Sequence, residues 1–318
     1  MRKPVCVALA LALGACTPSE TLPPDGGVDA PLLATEDAYA ASDVFRVMPD
    51  APRPDAGPVQ MDPILPTVRG PCGDFSTTGT VMLQGPGGTT RSANIWVSEA
   101  AQTLDGPLVF YWHGAGGSPL EAPGILGAAQ AEILAQGGIV VALSHDPAAG
   151  ALPWFLSSGT DQTDLVFADE ALACAEQDIG VDSHRIHGVG FSAGALHLSQ
   201  MAFYRAGYLA SAVTYSGGLI LRAPETNPPN ARTAVMALHG GPRDIVVVSF
   251  EDATARLVPA LRRDGHFVFV CDHGRGHTAP TAARPFAWQF LQAHPYGMQP
   301  PAYAAGLPAG FYAPCTLE

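Results

Sequence analysis

His187-Gly188-Val189-Gly190-Phe191-Ser192-Ala193-Gly194 is the stretch of this sequence that decides the fold. Residues 183–190 are predicted to form a short buried strand, and a run with few helix breakers predicts a helix over 195–204. Ser192 would then lie on a sharp strand-to-helix turn, with strained backbone and an exposed hydroxyl. Gly190 and Gly194 would remove the Cβ atoms that collide where strand and helix approach each other. The pattern G-x-S-x-G in this setting predicts a nucleophile.

Short apolar strands alternate with helices on both sides of this turn. An antiparallel hairpin is predicted over 80–97, further strands over 108–112, 139–143, 210–215, 233–238 and 267–270, and helices over 119–136, 163–177, 250–263 and 282–293. This order predicts an α/β fold, a doubly wound and mostly parallel sheet with an N-terminal antiparallel hairpin. Ligands bind such sheets at the carboxyl ends of the strands, and every candidate site residue named below lies on a loop there.

The first residues have the composition of an export signal. Arg2 and Lys3 precede a short apolar run over 5–13, which is too short to span a bilayer. The following Leu13-Gly14-Ala15-Cys16 resembles the bacterial lipobox, in which the cysteine becomes the lipidated first residue of the mature protein. We therefore expect a signal peptide over 1–15, a lipid anchor at Cys16, and a location at the outer membrane or cell surface. An ordinary signal peptide with a chance cysteine, and hence a secreted protein, is the alternative.

The segment after Cys16 is rich in proline, alanine, glycine and acidic residues. Such a composition buries too little apolar surface to fold, so we expect a disordered tether over 16–69 and a catalytic domain over 70–318. The net charge is -13, and the only lysine, Lys3, lies in the signal. A chain without a basic surface is a poor partner for nucleic acid.

The chain contains six cysteines, of which Cys6 would leave with the signal and Cys16 would carry lipid. An even number remains in the exported domain, which predicts two disulfides with three possible pairings. The remaining residues are Cys72, Cys174, Cys271 and Cys315. We favour Cys72–Cys315, which would join the two ends of the domain, and Cys174–Cys271.

Ser192 needs a base to remove its proton, and that base is usually a histidine oriented by a carboxylate. In a strand-to-helix serine site the partners follow in the order serine, acid, histidine. Asp244 lies just past one downstream strand and His277 just past the next, so we predict Ser192, Asp244 and His277 as the catalytic residues. Asp252 is a weaker acid candidate because it falls inside the next helix, and His273 is the rival base. A turn-forming or helix-capping aspartate is the structural alternative for Asp244.

A glycine-rich turn, His113-Gly114-Ala115-Gly116-Gly117, follows the strand that would lie beside the Ser192 turn. A tetrahedral intermediate needs two backbone N–H donors aimed at its oxyanion, and a glycine-rich turn lets the main chain come close. We predict that these donors are the N–H groups of Ala193 and Ala115. His113, Trp154 and Phe155 are predicted to line the substrate pocket, with ordinary packing as the alternative for the two aromatic residues.

Two other kinds of site are disfavoured by the same residues. Cys271, His273 and His277 suggest a metal site, but glycines 274 and 276 argue against a helix that presents both histidines, so we predict no metal. The glycine-rich turn lacks a G-K-[ST] sequence or a dinucleotide fingerprint, which argues against a phosphate cradle. We predict no cofactor.

Five segments resemble those of α/β-hydrolase esterases of the polyhydroxybutyrate depolymerase and feruloyl esterase type. They are Trp112-His113-Gly114-Ala115-Gly116-Gly117, Val181-Asp182-Ser183-His184-Arg185-Ile186, Gly190-Phe191-Ser192-Ala193-Gly194, His239-Gly240-Gly241-Pro242-Arg243-Asp244 and Gly276-His277-Thr278. The resemblance covers about residues 72–293 and implies an α/β-hydrolase fold. It also implies a serine carboxylesterase whose substrates are polyesters, hydroxycinnamoyl or acetyl esters of polysaccharides, or small esters. A non-catalytic binding protein, and a peptidase or acyltransferase on the same scaffold, are the alternatives.

Overall fold

A computed structural model describes residues 62–149, 153–154 and 162–317. The described residues form one nine-stranded sheet with helices on both faces. The strands are β1 (Gly79–Gln84), β2 (Thr90–Val97), β3 (Leu108–Trp112), β4 (Ile139–Leu143), β5 (Ile186–Phe191), β6 (Ser211–Tyr215), β7 (Ala234–His239), β8 (Phe267–Asp272) and β9 (Cys315–Thr316). The helices are α1 (Ala122–Leu126), α2 (Ala129–Ala135), α3 (Thr163–Ile179), α4 (Ala193–Tyr204), α5 (Phe250–Arg263) and α6 (Arg284–Ala293). The predicted signal peptide, Cys16, the tether up to residue 61 and Phe155 lie outside the described residues.

The sheet is mostly parallel, as predicted. Its strand order is β1-β2-β4-β3-β5-β6-β7-β8-β9. The strands from β4 through β8 in this order pair in parallel, whereas β1, β2 and β9 pair antiparallel with their neighbours. The N-terminal hairpin is therefore confirmed, and the carboxyl ends of β3, β5, β7 and β8 meet at one edge. The candidate site residues follow these strands.

Alternation of side chains along the central strands produces two apolar layers. In β3, Phe110 and Trp112 belong to the layer that α3, α4 and α5 cover, whereas Val109 and Tyr111 belong to the layer under α1, α2 and α6. All four side chains are fully buried. A parallel sheet covered on both faces explains why these strands are apolar throughout rather than alternating.

Three segments differ from the predicted boundaries. The strand predicted over 183–190 is β5, which begins only at Ile186. The single helix predicted over 119–136 is interrupted at Gly127, whose φ of 59° is incompatible with a continuing helix, and this separates α1 from α2. Residues 62–69, which we assigned to the tether, lie against the domain. Ile64 N–H donates to the carbonyl of Gly207, and Arg69 N–H donates to the carboxylate of Glu170.

The prediction of two disulfides is confirmed, but the predicted pairing is wrong. The structure contains Cys72–Cys174 and Cys271–Cys315. The segment around Cys72 runs along α3, where Phe75 N–H donates to Asp178, and this brings Cys72 to Cys174. Cys315 lies on the short strand β9, directly opposite Cys271 of β8. A two-residue strand near the end of the chain has no periodicity that could be recognised in the sequence.

Within the described ranges, each helix is too short or too polar to cross a bilayer.

Candidate active site

The turn between β5 and α4 has the strain that its sequence predicts. Ser192 has a φ of 55° and a ψ of -122°, a backbone conformation that residues other than glycine rarely adopt. Its N–H donates to Tyr215 O at 2.9 Å, which ties the turn to β6. A Cβ on Gly190 would lie 2.8 Å from Gly194 O, and one on Gly194 would overlap the carbonyl group of Trp112. Both glycines are thus required by the close approach of strand, helix and neighbouring loop.

Three predicted residues form one chain of hydrogen bonds. The Oγ atom of Ser192 is 2.9 Å from Nε2 of His277. The other ring nitrogen, Nδ1, is 2.7 Å from Oδ1 of Asp244. Because a carboxylate only accepts, Nδ1 carries the proton and Nε2 is free to take one from the serine hydroxyl. Nucleophile, base and orienting acid are therefore within hydrogen-bond distance in the predicted order.

The carboxylate of Asp244 is fully buried and fully engaged. Its Oδ2 accepts from the Ser216 hydroxyl at 2.8 Å and from the N–H of Gly240 at 2.9 Å, while Oδ1 faces His277. Burial raises the pKa of Asp244, but the hydrogen bonds from His277, Gly240 and Ser216 outweigh it, so the pKa lies below its usual value. Asp244 is consequently an anion at neutral pH and can stabilise a protonated His277.

Two aromatic rings hold the imidazole of His277 from its sides. Phe250, at the start of α5, stacks on it with the ring centroids 4.7 Å apart, and Phe191 lies 5.0 Å away on β5. An aromatic face near a cationic imidazole contributes a favourable cation–π interaction. Neither ring, nor Ser216, was predicted from the sequence, because no local pattern indicates which side chains will contact a distant histidine.

The rival residues make hydrogen bonds other than those of the predicted catalytic residues. Nδ1 of His273 accepts a hydrogen bond from the N–H of Arg275, two residues further along its own loop. Asp252 lies exposed in the first turn of α5, where its N–H is capped by the Ser249 hydroxyl. Cys271 is disulfide-bonded and cannot supply a thiolate to a metal ion. No group of three or more metal-ligating side chains occurs among residues 62–149, 153–154 and 162–317.

The loop after β3 lies against the Ser192 turn. A Cβ on Gly114 would be only 3.1 Å from Cβ of Ser192. Ala193 is the first residue of α4, so its N–H has no acceptor within the helix. The N–H of Ala115 donates to no other residue that the structure describes. Both N–H groups therefore remain the predicted oxyanion donors, and the helix N-terminus favours negative charge beside Ala193.

The predicted pocket residues have a different environment from the one we expected. His113 is fully buried, and Trp154 is only 2% exposed. The indole N–H of Trp154 donates to His113 O at 2.8 Å, and its ring packs against Trp112 and His197. Both side chains therefore bind the backbone of the glycine-rich turn, Trp154 at His113 O and His113 at Gly114 O. Phe155 lies outside the described residues.

Solved structures with the same fold are numerous, although the chain matches no protein-family model and no curated protein. A variant of pOPH in complex with pNPB superposes with a TM-score of 0.64 at 15% identity, covering 79% of this chain and 96% of that one. Native sOPH gives a TM-score of 0.62 at 14% identity, covering 78% and 97%. A thermostable esterase gives 0.55 at 17% identity, covering 70% and 64%. The sheet order, the strained serine turn and these superpositions together show that the chain has the α/β-hydrolase fold.

Proposed function

We propose that this protein is a serine hydrolase that cleaves carboxylic esters. The observation that carries the proposal is the unbroken chain of hydrogen bonds from Ser192 through His277 to the buried Asp244. A protein that used this fold only for binding would need neither the strained serine nor an anion aligned behind the imidazole.

In the proposed reaction the hydroxyl oxygen of Ser192 attacks the ester carbonyl carbon while Nε2 of His277 takes the hydroxyl proton. The negative charge that develops on the carbonyl oxygen is stabilised by the N–H groups of Ala193 and Ala115. His277 then donates its proton to the leaving alkoxide as the carbon–oxygen bond breaks, leaving an acyl-enzyme. The same nitrogen then takes a proton from water as the water oxygen attacks the acyl carbon. It returns that proton to the Ser192 oxygen as the acyl–serine bond breaks, which releases the carboxylic acid.

A fluorophosphonate probe tests this proposal directly. We expect the probe to label Ser192, and Ser192→Ala to lose both labelling and about 10³-fold or more in kcat while the protein remains folded. Ser183→Ala, in the turn that precedes β5, is the matched control and should label normally. An intact fold without labelling would reject the proposal in favour of a binding protein.

Apolar side chains beside the acid residue favour esters with an apolar portion. Ile245, Val246 and Val247 follow Asp244 directly and are 58%, 59% and 82% exposed. Exposed apolar side chains next to a catalytic group are suited to contact an acyl chain or a polymer segment. A panel of p-nitrophenyl acyl esters, methyl ferulate, acetylated xylan and polyhydroxybutyrate, with an anilide to detect peptidase activity, identifies the substrate class. We expect longer acyl chains to be preferred over acetate, and Val247→Ser to reduce that preference.

We also propose that the protein is exported and anchored through a lipid on Cys16. Two disulfides support a location outside the reducing cytoplasm. Metabolic labelling with a radioactive fatty acid should mark the protein, and Cys16→Ala should release it from the membrane fraction. Labelling that persists in Cys16→Ala would reject the anchor.

A further inference from the structure

The imidazole rings of His113 and His145 contact each other beside the glycine-rich turn. Nδ1 of His113 is 2.8 Å from the carbonyl oxygen of Gly114, and a carbonyl oxygen only accepts, so Nδ1 carries a proton. Burial lowers the pKa of His113 below its usual value; the Gly114 carbonyl and Glu121 oppose this shift, and His145 adds to it. The ring is therefore neutral at neutral pH, and its Nε2 is an acceptor. Nδ1 of His145, 3.2 Å from that Nε2, must be the donor.

The carbonyl that His113 holds belongs to the same peptide unit as the N–H of Ala115. A peptide unit is planar, and in the trans form its C=O and N–H point in opposite directions. Fixing the oxygen of Gly114 therefore fixes the direction of the Ala115 N–H. Two donors hold this oxygen, Nδ1 of His113 and the N–H of Gly117 at 3.0 Å.

His145 is well placed to act on this turn because the residues on either side of it are anchored. It follows β4, which pairs in parallel with β3, so the loops after these two strands meet at the same edge. The Ser144 hydroxyl is 2.8 Å from that of Ser92, and Asp146 forms an ion pair with Arg91 at 3.2 Å. These contacts to β2 hold the backbone from which the His145 ring extends.

We propose that His145 is a positioning residue that acts through His113 on the oxyanion donor at Ala115. Its donation to Nε2 selects the His113 tautomer whose Nδ1–H clamps the Gly114–Ala115 peptide. When His145 cannot donate, His113 is free to carry its proton on Nε2, and the Nδ1 lone pair then faces the Gly114 oxygen without a bond. This proposal rests on the ester hydrolysis proposed above, because an oriented N–H matters only where an oxyanion forms.

The expected effect is on the rate rather than on substrate binding. Removing one oxyanion donor outright costs about 10²- to 10³-fold in kcat. The N–H of Ala115 remains when His145 is changed and loses only its fixed direction, so we expect a smaller loss, about tenfold in kcat. KM should hardly change, because the interaction forms with the tetrahedral intermediate and not with the bound ester.

His145→Leu and His145→Asn form a matched pair for the test. The two side chains have the same number and branching of heavy atoms, but only asparagine offers an N–H near the position of Nδ1. We expect His145→Leu to lose about tenfold in kcat and His145→Asn to stay within about twofold of the unsubstituted protein. The affinity for a trifluoromethyl ketone, which forms a hemiketal oxyanion on the serine, should weaken in the same proportion as kcat. Equal kcat values for the two folded variants would overturn the proposal.

The tautomer itself provides a readout that does not depend on catalytic activity. Imidazole ¹⁵N chemical shifts of the unsubstituted protein should place the His113 proton on Nδ1, and His145→Leu should move it toward Nε2. A proton on Nε2 of His113 in the unsubstituted protein would overturn the proposal. If the protein hydrolyses no ester, the proposed function fails instead, and the shifts still decide whether His145 sets the tautomer of His113.

Discussion

Ser216, which directly follows β6, has two opposing effects on stability: its hydroxyl bond is favourable and its backbone conformation is unfavourable. Two substitutions separate these effects. Its buried hydroxyl donates to Oδ2 of Asp244 at 2.8 Å. Its backbone has a φ of 53°, in the left-handed region that favours glycine. Ser216→Ala removes the hydroxyl and keeps the strain, whereas Ser216→Gly removes both. We expect the two variants to differ in stability and to agree in activity.

The magnitudes follow from the contacts of the carboxylate. A hydrogen bond to a charged group contributes about 1.5–3 kcal/mol, so Ser216→Ala should lower the free energy of unfolding by about 2 kcal/mol. Left-handed backbone costs a non-glycine residue about 1–2 kcal/mol, and glycine loses part of this in backbone entropy, so Ser216→Gly should be about 0.5–1 kcal/mol more stable than Ser216→Ala. Asp244 keeps its bonds to Gly240 and His277, so both variants should lose about tenfold in kcat, which corresponds to about 1.4 kcal/mol.

The same substitutions have a predictable dependence on pH. The hydrogen bonds hold the pKa of Asp244 below its usual value, so the folded state binds fewer protons than the unfolded state in acid. This contribution to stability is present above the unfolded pKa of about 3.9 and is lost as the pH falls through the folded pKa. Removing the Ser216 hydroxyl raises the folded pKa, so both variants should lose less stability on acidification than the unsubstituted protein.

Urea unfolding at pH 7 and at the lowest pH at which the unsubstituted protein and both variants remain folded, together with kcat for a p-nitrophenyl ester, measures all three effects. Ser211→Ala is the matched control, because its hydroxyl is also buried on β6 but contacts His187 at 2.8 Å, at the opposite end of the strand. It should lose stability and keep its kcat. If Ser216→Gly regained activity along with stability, strain would be the important feature and the reasoning about the hydroxyl would be refuted.

Three further predictions concern charge, acid and disulfides. Asp244→Asn retains the shape but not the charge that selects the Nδ1–H tautomer of His277, so pre-steady-state acylation should slow by about 10⁴-fold. Burial lowers the pKa of four histidines, to about 3 for the first and about 4 for the others: His187, His197, His266 and His294. Only the unfolded state binds these protons, so stability should fall as the pH drops below about 6.5, by up to about 1.4 kcal/mol per pH unit for each histidine. A flat stability profile between pH 7 and pH 4 would contradict this. Replacing both cysteines of Cys72–Cys174, separated by 102 residues, should cost about 4.7 kcal/mol of unfolding free energy, against about 4 kcal/mol for Cys271–Cys315, separated by 44.

The sequence predicts the sheet and the arrangement of the site because both depend on local patterns. Apolar runs identify the central strands, and the glycines around Ser192 identify the turn, since each signal lies within a few residues of the feature it predicts. The disulfide pairing failed for the opposite reason. Cys72 reaches Cys174 because the chain before β1 runs along α3, and Cys315 reaches Cys271 through a two-residue strand. Neither of these chain paths produces a hydrophobic periodicity or a composition from which the disulfide pairing could be predicted.

The residues that orient the reactive groups were missed for a related physical reason. Ser216, Phe250 and His145 lie on loops or helix ends that meet the site only after strands far apart in the chain pair side by side. Ser216 in particular adopts a backbone conformation that its side chain disfavours, so its own sequence preference argues against the position that it occupies.

The same close approach that forms the fold also forms the candidate oxyanion site. Gly194 has no Cβ because the carbonyl group of Trp112 occupies that space, and this contact brings the end of β3 against the first turn of α4. The turn after β3 must then pass beside Ser192, so closely that a Cβ on Gly114 would lie 3.1 Å from Cβ of Ser192. We expect a Cβ on Gly194 to push the end of β3 away from the first turn of α4, which would separate Ala115 from Ala193. We expect Gly194→Ala to lose oxyanion stabilisation more completely than any change behind the turn, and a folded Gly194→Ala with undiminished kcat would show that the two loops need not touch.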